Sequence, residues 1–347
     1  MHARLAAVIA RQSRDVRHCH GDMHLGNVFL DNGEAPKAGF KVRQPALAAT
    51  LETLAAKGHD GFYRGELAQR MVDGVKAAGG IWEMDDLARY EVIERVPQTF
   101  TYRGATLTCA SLPSSGGLVL AQTLQILERF ALRGMEQAAR DHLVVEAWRR
   151  AYQDRARYMG DPAFAQAPSD LGTRDYADVR AASIRPDAAT PSSALDERYP
   201  PVRQGDNTTH FSIVDANGNW VAATLSVNLP FGAGTMAGDT GVLLNDEMND
   251  FSIAPASGNA YGLVGGTANA VAPGKRPLSS MTPTFVEDAR GTLVLGTPGG
   301  SRIISMVTLG VLDYVDDPAL DIDRLVGLPR FHHQYLPDRI EFEPGAF

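Results

Sequence analysis

The run Asp206-Asn207-Thr208-Thr209-His210-Phe211-Ser212 sits where a polar stretch without period gives way to a strand pattern. Upstream, residues 187–206 carry three prolines among polar side chains, which predicts an exposed loop open to cleavage. Downstream, Thr208 to Val214, a turn at Asp215-Ala216-Asn217-Gly218, and Trp220 to Val227 predict a β-hairpin. A threonine hydroxyl is a weak nucleophile until a base takes its proton. Cutting the peptide bond before Thr208 would free that residue's own α-amine for the task. Taken alone, Asn-Thr-Thr-His is a weak signal, since most such tetrapeptides are ordinary strand entries.

Outward from this run, apolar residues recur at helical spacing over Gln44–Lys57 (Leu47, Leu51, Leu54) and Gly61–Ala78 (Leu67, Met71, Val75), with Gly79-Gly80 as a stop. Residues 94–108 read as strand, turn and strand about Arg103-Gly104. Helices are expected over Leu118–Phe130, capped by Ser114-Ser115-Gly116-Gly117, and over His142–Met159. Strands are expected at Phe285–Glu287 and Thr292–Gly296, and a helix at Ser301–Leu312. Strands sandwiched with helices imply an α+β or four-layer αββα architecture.

Composition narrows the function. The 347 residues carry a formal net charge of -8, which disfavours nucleic-acid partners, because phosphate binding requires clustered Lys and Arg. Cys19 and Cys109 lie far apart without metal-ligand spacing, so neither a zinc site nor a disulfide framework is encoded. No stretch approaches the roughly 20 apolar residues needed to span a bilayer. The apolar run Leu5–Ala10 is too short for a secretory core and is followed by Arg11 and Arg14, so export is not predicted from the chain as written.

The nucleophile run resembles the γ-glutamyltransferase family. The resemblance begins with Phe62-Tyr63-Arg64-Gly65 and Leu112-Pro113-Ser114-Ser115-Gly116-Gly117. Beyond the cut it continues through Asn228-Leu229-Pro230-Phe231-Gly232 and the long match from Gly241 to Ser252. Lys275-Arg276-Pro277-Leu278-Ser279-Ser280-Met281, Gly296-Thr297-Pro298-Gly299-Gly300-Ser301-Arg302 and Pro329-Arg330-Phe331-His332-His333 complete it, in the family's order.

The resemblance implies an N-terminal-nucleophile hydrolase fold, self-cleavage between Asn207 and Thr208, and γ-glutamyl transfer through a Thr208 ester. The acyl group would come from glutathione or other γ-glutamyl compounds and pass to water, an amino acid or a dipeptide, with no cofactor or metal. Ser226 stands where the family usually has a threonine supporting the nucleophile. Asn228, Glu247 and Asp250 match positions that hold the donor's α-amine, although such residues also serve as solvated turn formers. Ser279 and Ser280 match the pair that contacts its α-carboxylate, and Gly299 and Gly300 match the oxyanion hole, where a missing side chain admits the developing charge.

The implied organisation is a large-subunit portion over 42–207 and a small-subunit portion over 208–347, associated after cleavage. The family pattern extends beyond both ends, and the arginine that pairs with the donor α-carboxylate falls in the missing N-terminal part. A catalytically inactive remnant is therefore the alternative. Family members usually work outside the cytoplasm, and the location of this chain is left open. Residues 1–37 contain His20-Gly21-Asp22-Met23-His24-Leu25-Gly26-Asn27, which is similar to the catalytic loop of aminoglycoside-phosphotransferase-like kinases, with Asp22 placed to accept a hydroxyl proton and Asn27 to hold Mg²⁺. The flanking residues supply no other kinase part, so the segment reads as a fragment and not an independent domain.

Overall fold

A computed structural model describes residue 39 and residues 41–195, 208–252 and 263–346. The kinase-like run, Cys19 and Asn207 lie outside the described residues. The chain divides into two compact units, one of Met1–Glu94 with Val227–Asp246 and the other of Arg95–Ser226 with Glu247–Phe347.

In the first unit, α1 (Pro45–Tyr63) opens on a proline in its first turn, where the lost N–H costs nothing, and kinks at Gly58 (φ 59°). The break expected before Gly61 is thus a kink, and α2 runs Gly65–Ala77. The expected Leu67, Met71 and Val75 face inward with Ala68 and Val72, meeting Leu87 of the short helix α3 (Met84–Ala88) and Ala237. Residues 227–246 fold back onto these helices. Thr50 donates to the Thr240 carbonyl at 2.7 Å, and a Cβ on Gly74 would meet the Gly238 backbone nitrogen at 2.2 Å.

The second unit is built on an antiparallel sheet ordered β1 (Gln98–Tyr102), β2 (Ala105–Cys109), β5 (Thr284–Asp288), β6 (Gly291–Leu295). Arg103 (φ 46°) and Gly104 (φ 87°) form the two-residue turn between β1 and β2, left-handed at both positions as such hairpins require. Helix α4 (Gly116–Leu127) packs on this sheet and against α5 (Gln137–Tyr158), α6 (Arg174–Ala182) and α7 (Ile303–Asp316). A separate hairpin, β3 (Thr209–Val214) with β4 (Trp220–Leu225), contacts β6. The short helix α8 (Ile322–Gly327) precedes a final pair, β7 (Phe331–His332) with β8 (Glu341–Phe342).

Helix α5 is buried over most of its length, including Glu146, Arg149, Arg150, Gln153, Asp154 and Arg155. Most of those charges are tolerated because they are paired. Arg150 meets Glu146 at 2.7 Å with both side chains fully buried, and Arg149 pairs with Asp338. Thr190 donates its backbone N–H to Glu146 at 2.9 Å, and Arg149 donates to buried Ser192 at 2.5 Å. The predicted open loop is therefore tied down through Leu195; its remainder falls outside the described residues.

The clamp around α4 explains one motif. Ser115 donates its backbone N–H (2.8 Å) and hydroxyl (2.7 Å) to the Ser279 carbonyl, and Ser279 returns its N–H to the Pro113 carbonyl at 2.8 Å. The approach is so close that a Cβ on Gly116 would meet Thr282 Oγ1 at 2.1 Å, and one on Gly117 the Ala110 carbonyl at 2.4 Å.

Two outcomes are expected. Gly116→Ala should lower the urea unfolding midpoint by the equivalent of about 1–3 kcal/mol, the usual cost of overpacking, whereas an unchanged midpoint would mean that residues 279–282 yield freely. For Asp338, burial raises the carboxyl's affinity for a proton, but bonds from His333, Arg149 and the Ser192 N–H outweigh it and hold the group far below the usual range. Its stabilising contribution is complete above the unfolded value of about 3.9 and fades as pH falls below it. Asp338→Asn should accordingly lower Tm at pH 7, with an effect that starts to shrink near about pH 4 and diminishes steadily as the solution is made more acidic; a Tm difference independent of pH would exclude the charge as its source.

Candidate functional site

Thr208 immediately precedes β3, and its position follows from the hairpin's register. Asp215 accepts backbone N–H bonds from Asn217 (2.9 Å) and Asn219 (2.8 Å), which fixes the turn. Pairing then runs from Val214↔Trp220 to Thr209↔Leu225. One step further, Thr208 faces Ser226, and their hydroxyl oxygens lie 3.2 Å apart. The two residues expected to form the nucleophilic centre are thus brought together by a turn 7 residues or more away in sequence from either of them.

The turn after β6 reaches the same place. A Cβ on Gly296 would meet the His210 ring at 2.2 Å, so the absent side chain lets the hairpin lie against this loop. His210 in turn bonds Thr224 Oγ1 at 2.9 Å. Gly299 (φ 129°) and Gly300 (φ 55°) take conformations that favour glycine and lead through the turn Gly300–Arg302 into α7. A cavity of about 560 Å³ opens here, lined in part by Thr208, Gly299, Arg302, Met306, His332 and Glu341. Arg302 and Glu341 face each other across 3.2 Å within that lining.

Glu247, Asp250, Ser279 and Ser280 belong to the same unit but not to the lining of this cavity. Glu247 and Asp250 occupy a single 3₁₀ turn, Glu247–Asp250. Asn269 joins that turn to the serine pair, donating to the Asp250 carbonyl at 2.7 Å and accepting from the Leu278 N–H at 3.0 Å. The Lys275–Met281 segment is further held by Asp161, which accepts the Arg276 N–H at 2.9 Å. Ser279 Oγ accepts the Met281 N–H at 3.0 Å.

Asn228 lies in the other unit, 2% exposed with φ 72°, where its side chain donates to the Asp246 carbonyl at 3.2 Å. Asp246 accepts the Leu229 N–H at 3.0 Å, and burial raises its pKa.

Several partners of these residues were not legible beforehand. Tyr152 donates to the Ser301 carbonyl at 2.6 Å, next to Gly300. Arg155 donates to Ser115 Oγ (2.8 Å) and Ser280 Oγ (3.1 Å). Both stand in a charge-rich helical run, a pattern that ordinarily marks a solvated face; only burial separates the two cases. Among the described residues no cluster of His, Cys, Asp and Glu is arranged to hold a metal ion, and no helix is long and apolar enough to cross a membrane. Cys109 is a buried free thiol, pushed up to about 12 by burial.

Comparison with known proteins bears on this arrangement. The family described as Gamma-glutamyltranspeptidase matches residues 1–347. The glutathione hydrolase proenzyme of Pseudomonas sp. (strain A14) is 44% identical over 325 residues, covering 92% of this chain and 56% of that protein. That of Escherichia coli (strain K12) is 42% identical over 322 residues, covering 92% of this chain and 55% of that protein. The chain therefore spans little more than half the length of these relatives. Among solved structures, cephalosporin acylase from Bacillus halodurans aligns with a TM-score of 0.75 over 97% of this chain and 59% of that chain, at 23% identity. That likeness is one of fold, and the fold is the expected α+β N-terminal-nucleophile hydrolase arrangement. With a match running through all of its residues and relatives of this identity over nearly its whole length, the chain belongs to the gamma-glutamyltranspeptidase family.

Proposed function

We propose that this chain cleaves itself between Asn207 and Thr208 and then acts as a γ-glutamyltransferase and glutathione hydrolase. The observation that carries the reading is the Thr208–Ser226 hydroxyl contact of 3.2 Å at the end of a rigid hairpin, beside a cavity that also contains Gly299.

In this reading the Thr208 α-amine, freed by cleavage, takes the proton from Oγ, and Oγ attacks the donor's γ-carbonyl carbon. The backbone N–H groups at Gly299 and Gly300 receive the developing oxyanion. The C–N bond then breaks, the leaving amine departs with the proton, and a γ-glutamyl ester of Thr208 remains. Water attacking the ester gives hydrolysis; the amine of an amino acid or dipeptide gives transpeptidation. Ser226 supports Oγ, Asn228, Glu247 and Asp250 hold the donor's α-ammonium, and Ser279 and Ser280 hold its α-carboxylate.

Residues 42–207 and 208–347 would stay associated as the large and small portions. Residues 1–37 enter as a segment resembling a kinase loop, and a separate activity there would require Mg²⁺-dependent ATP turnover that Asp22→Ala abolishes.

Intact mass after prolonged incubation tests the first step: two fragments meeting between Asn207 and Thr208 are expected, and an uncleaved but folded chain would refute self-processing. Thr208→Ala should abolish both cleavage and release of product from a γ-glutamyl anilide, because one hydroxyl serves both. Ser226→Ala should slow both about tenfold to a hundredfold, as loss of one supporting hydrogen bond implies; an unchanged rate would remove Ser226 from the site.

A further inference from the structure

Among the described residues, the buried and half-buried arginines around α5 divide into two kinds. Arg149, Arg150 and Arg180 have carboxylates within ion-pair distance: Asp338 and Glu146, Glu146, and Asp154 respectively. Arg155 is 5% exposed and forms no such pair among the described residues; its guanidinium donates from Nε to Ser115 and from Nη2 to Ser280. Burial pushes its pKa down to about 10, a shift opposed by the fields of Tyr152 and Asp250, so it remains a cation at neutral pH. A buried cation whose hydrogen bonds go to hydroxyls and not to a carboxylate gains from a further anion close by.

The hydroxyl bookkeeping indicates where that anion binds. A serine hydroxyl has one proton to give and two lone pairs. Ser115 gives its proton to the Ser279 carbonyl and receives Arg155. Ser280 Oγ also receives Arg155, which leaves its proton for a further acceptor. Ser279 Oγ receives the Met281 N–H and likewise keeps its proton. The hydroxyls of two successive residues thus each keep a proton to give, and the guanidinium lies 3.1 Å from one of them. A single carboxylate suits them, because its two oxygens accept from both and its charge is offset by the guanidinium.

We propose that Arg155 is a positioning residue for the α-carboxylate of the γ-glutamyl donor, acting through Ser280. The inference rests on the functional reading above and deepens it: selectivity for a donor bearing an α-carboxylate comes from a buried guanidinium in α5 that polarises Ser280. The alternative is a rivet that merely fastens α5 to residues 279–281, and the two differ in substrate dependence.

The test compares the full chain with Arg155→Met, Arg155→Lys and Ser280→Ala on two anilides, γ-glutamyl-p-nitroanilide and 4-aminobutanoyl-p-nitroanilide, which lacks the α-carboxylate. Calorimetric binding of L-glutamate and 4-aminobutanoate provides the same comparison without turnover. Arg155→Met is expected to weaken the γ-glutamyl ligands about tenfold to a hundredfold, mainly in KM, from loss of a charge-assisted interaction. The 4-aminobutanoyl ligands should change less than twofold, and Arg155→Lys should recover part of the loss.

Equal losses on both ligands, or no loss on either, would overturn the proposal while an active wild type leaves the functional reading standing. Should Arg155→Met fail to fold, Arg155→Lys and Ser280→Ala carry the same comparison. A wild-type chain that neither turns over the anilide nor binds L-glutamate would overturn both readings.

Discussion

The second unit depends on a single constraint: α5 is buried although it is rich in charge, so nearly every polar group on it has a fixed partner. Glu146 illustrates how closely such a position is specified. Burial alone would raise its pKa, yet bonds from the Thr190 N–H and the Arg150 guanidinium hold it below the ordinary value. Removing the Arg150 guanidinium would strand a buried charge, which costs far more than a surface ion pair contributes. Arg149 extends the same framework to Ser192 and Asp338, so the chain on either side of the proposed cleavage region is anchored to one helix.

That helix also organises the site. Successive turns of α5 deliver Tyr152 to the Ser301 carbonyl beside the glycine turn and Arg155 to Ser115 and Ser280. The spacing of three residues puts both side chains on one face. Thr208, the proposed nucleophile, lies on a different element, the β3–β4 hairpin, whose register is set by the Asp215 turn. Gly296 is what brings hairpin and glycine loop together, because any side chain there would occupy the space of the His210 ring. The proposed site is thus placed by backbone register and close approach as much as by the residue types themselves.

Legibility varied with how each element is buried. In α2 one face is buried and the other solvated, so Leu67, Met71 and Val75 repeat visibly and the helix was readable. The mostly buried α5 has no such stripe; the expected His142–Met159 falls short of its N-terminal end at Gln137, and nothing in its charge pattern marks the arginines as buried. Helices α3 and α6 were missed because they are short and rely on caps, Glu83 with Asp86 in one case and Thr173 in the other, more than on periodicity. The kink at Gly58 was anticipated as a helix end, since a glycine marks a break without saying whether the chain resumes in the same direction.

Local chemistry in the sequence by itself determined the hairpin around Asp215–Gly218, the two-residue turn at Arg103-Gly104, and the order of motifs that identifies the family. These depend on short-range rules: side-chain alternation, turn residues that tolerate positive φ, and residue types suited to a given reaction. Only the tertiary structure decided that Thr208 and Ser226 meet at 3.2 Å, that Gly116 must lack a side chain, and that Arg155 stands behind Ser280. The reason is physical: burial and partner geometry arise between segments far apart in the chain, and an arginine in a helical charge run looks the same on paper whether water or a serine hydroxyl receives it.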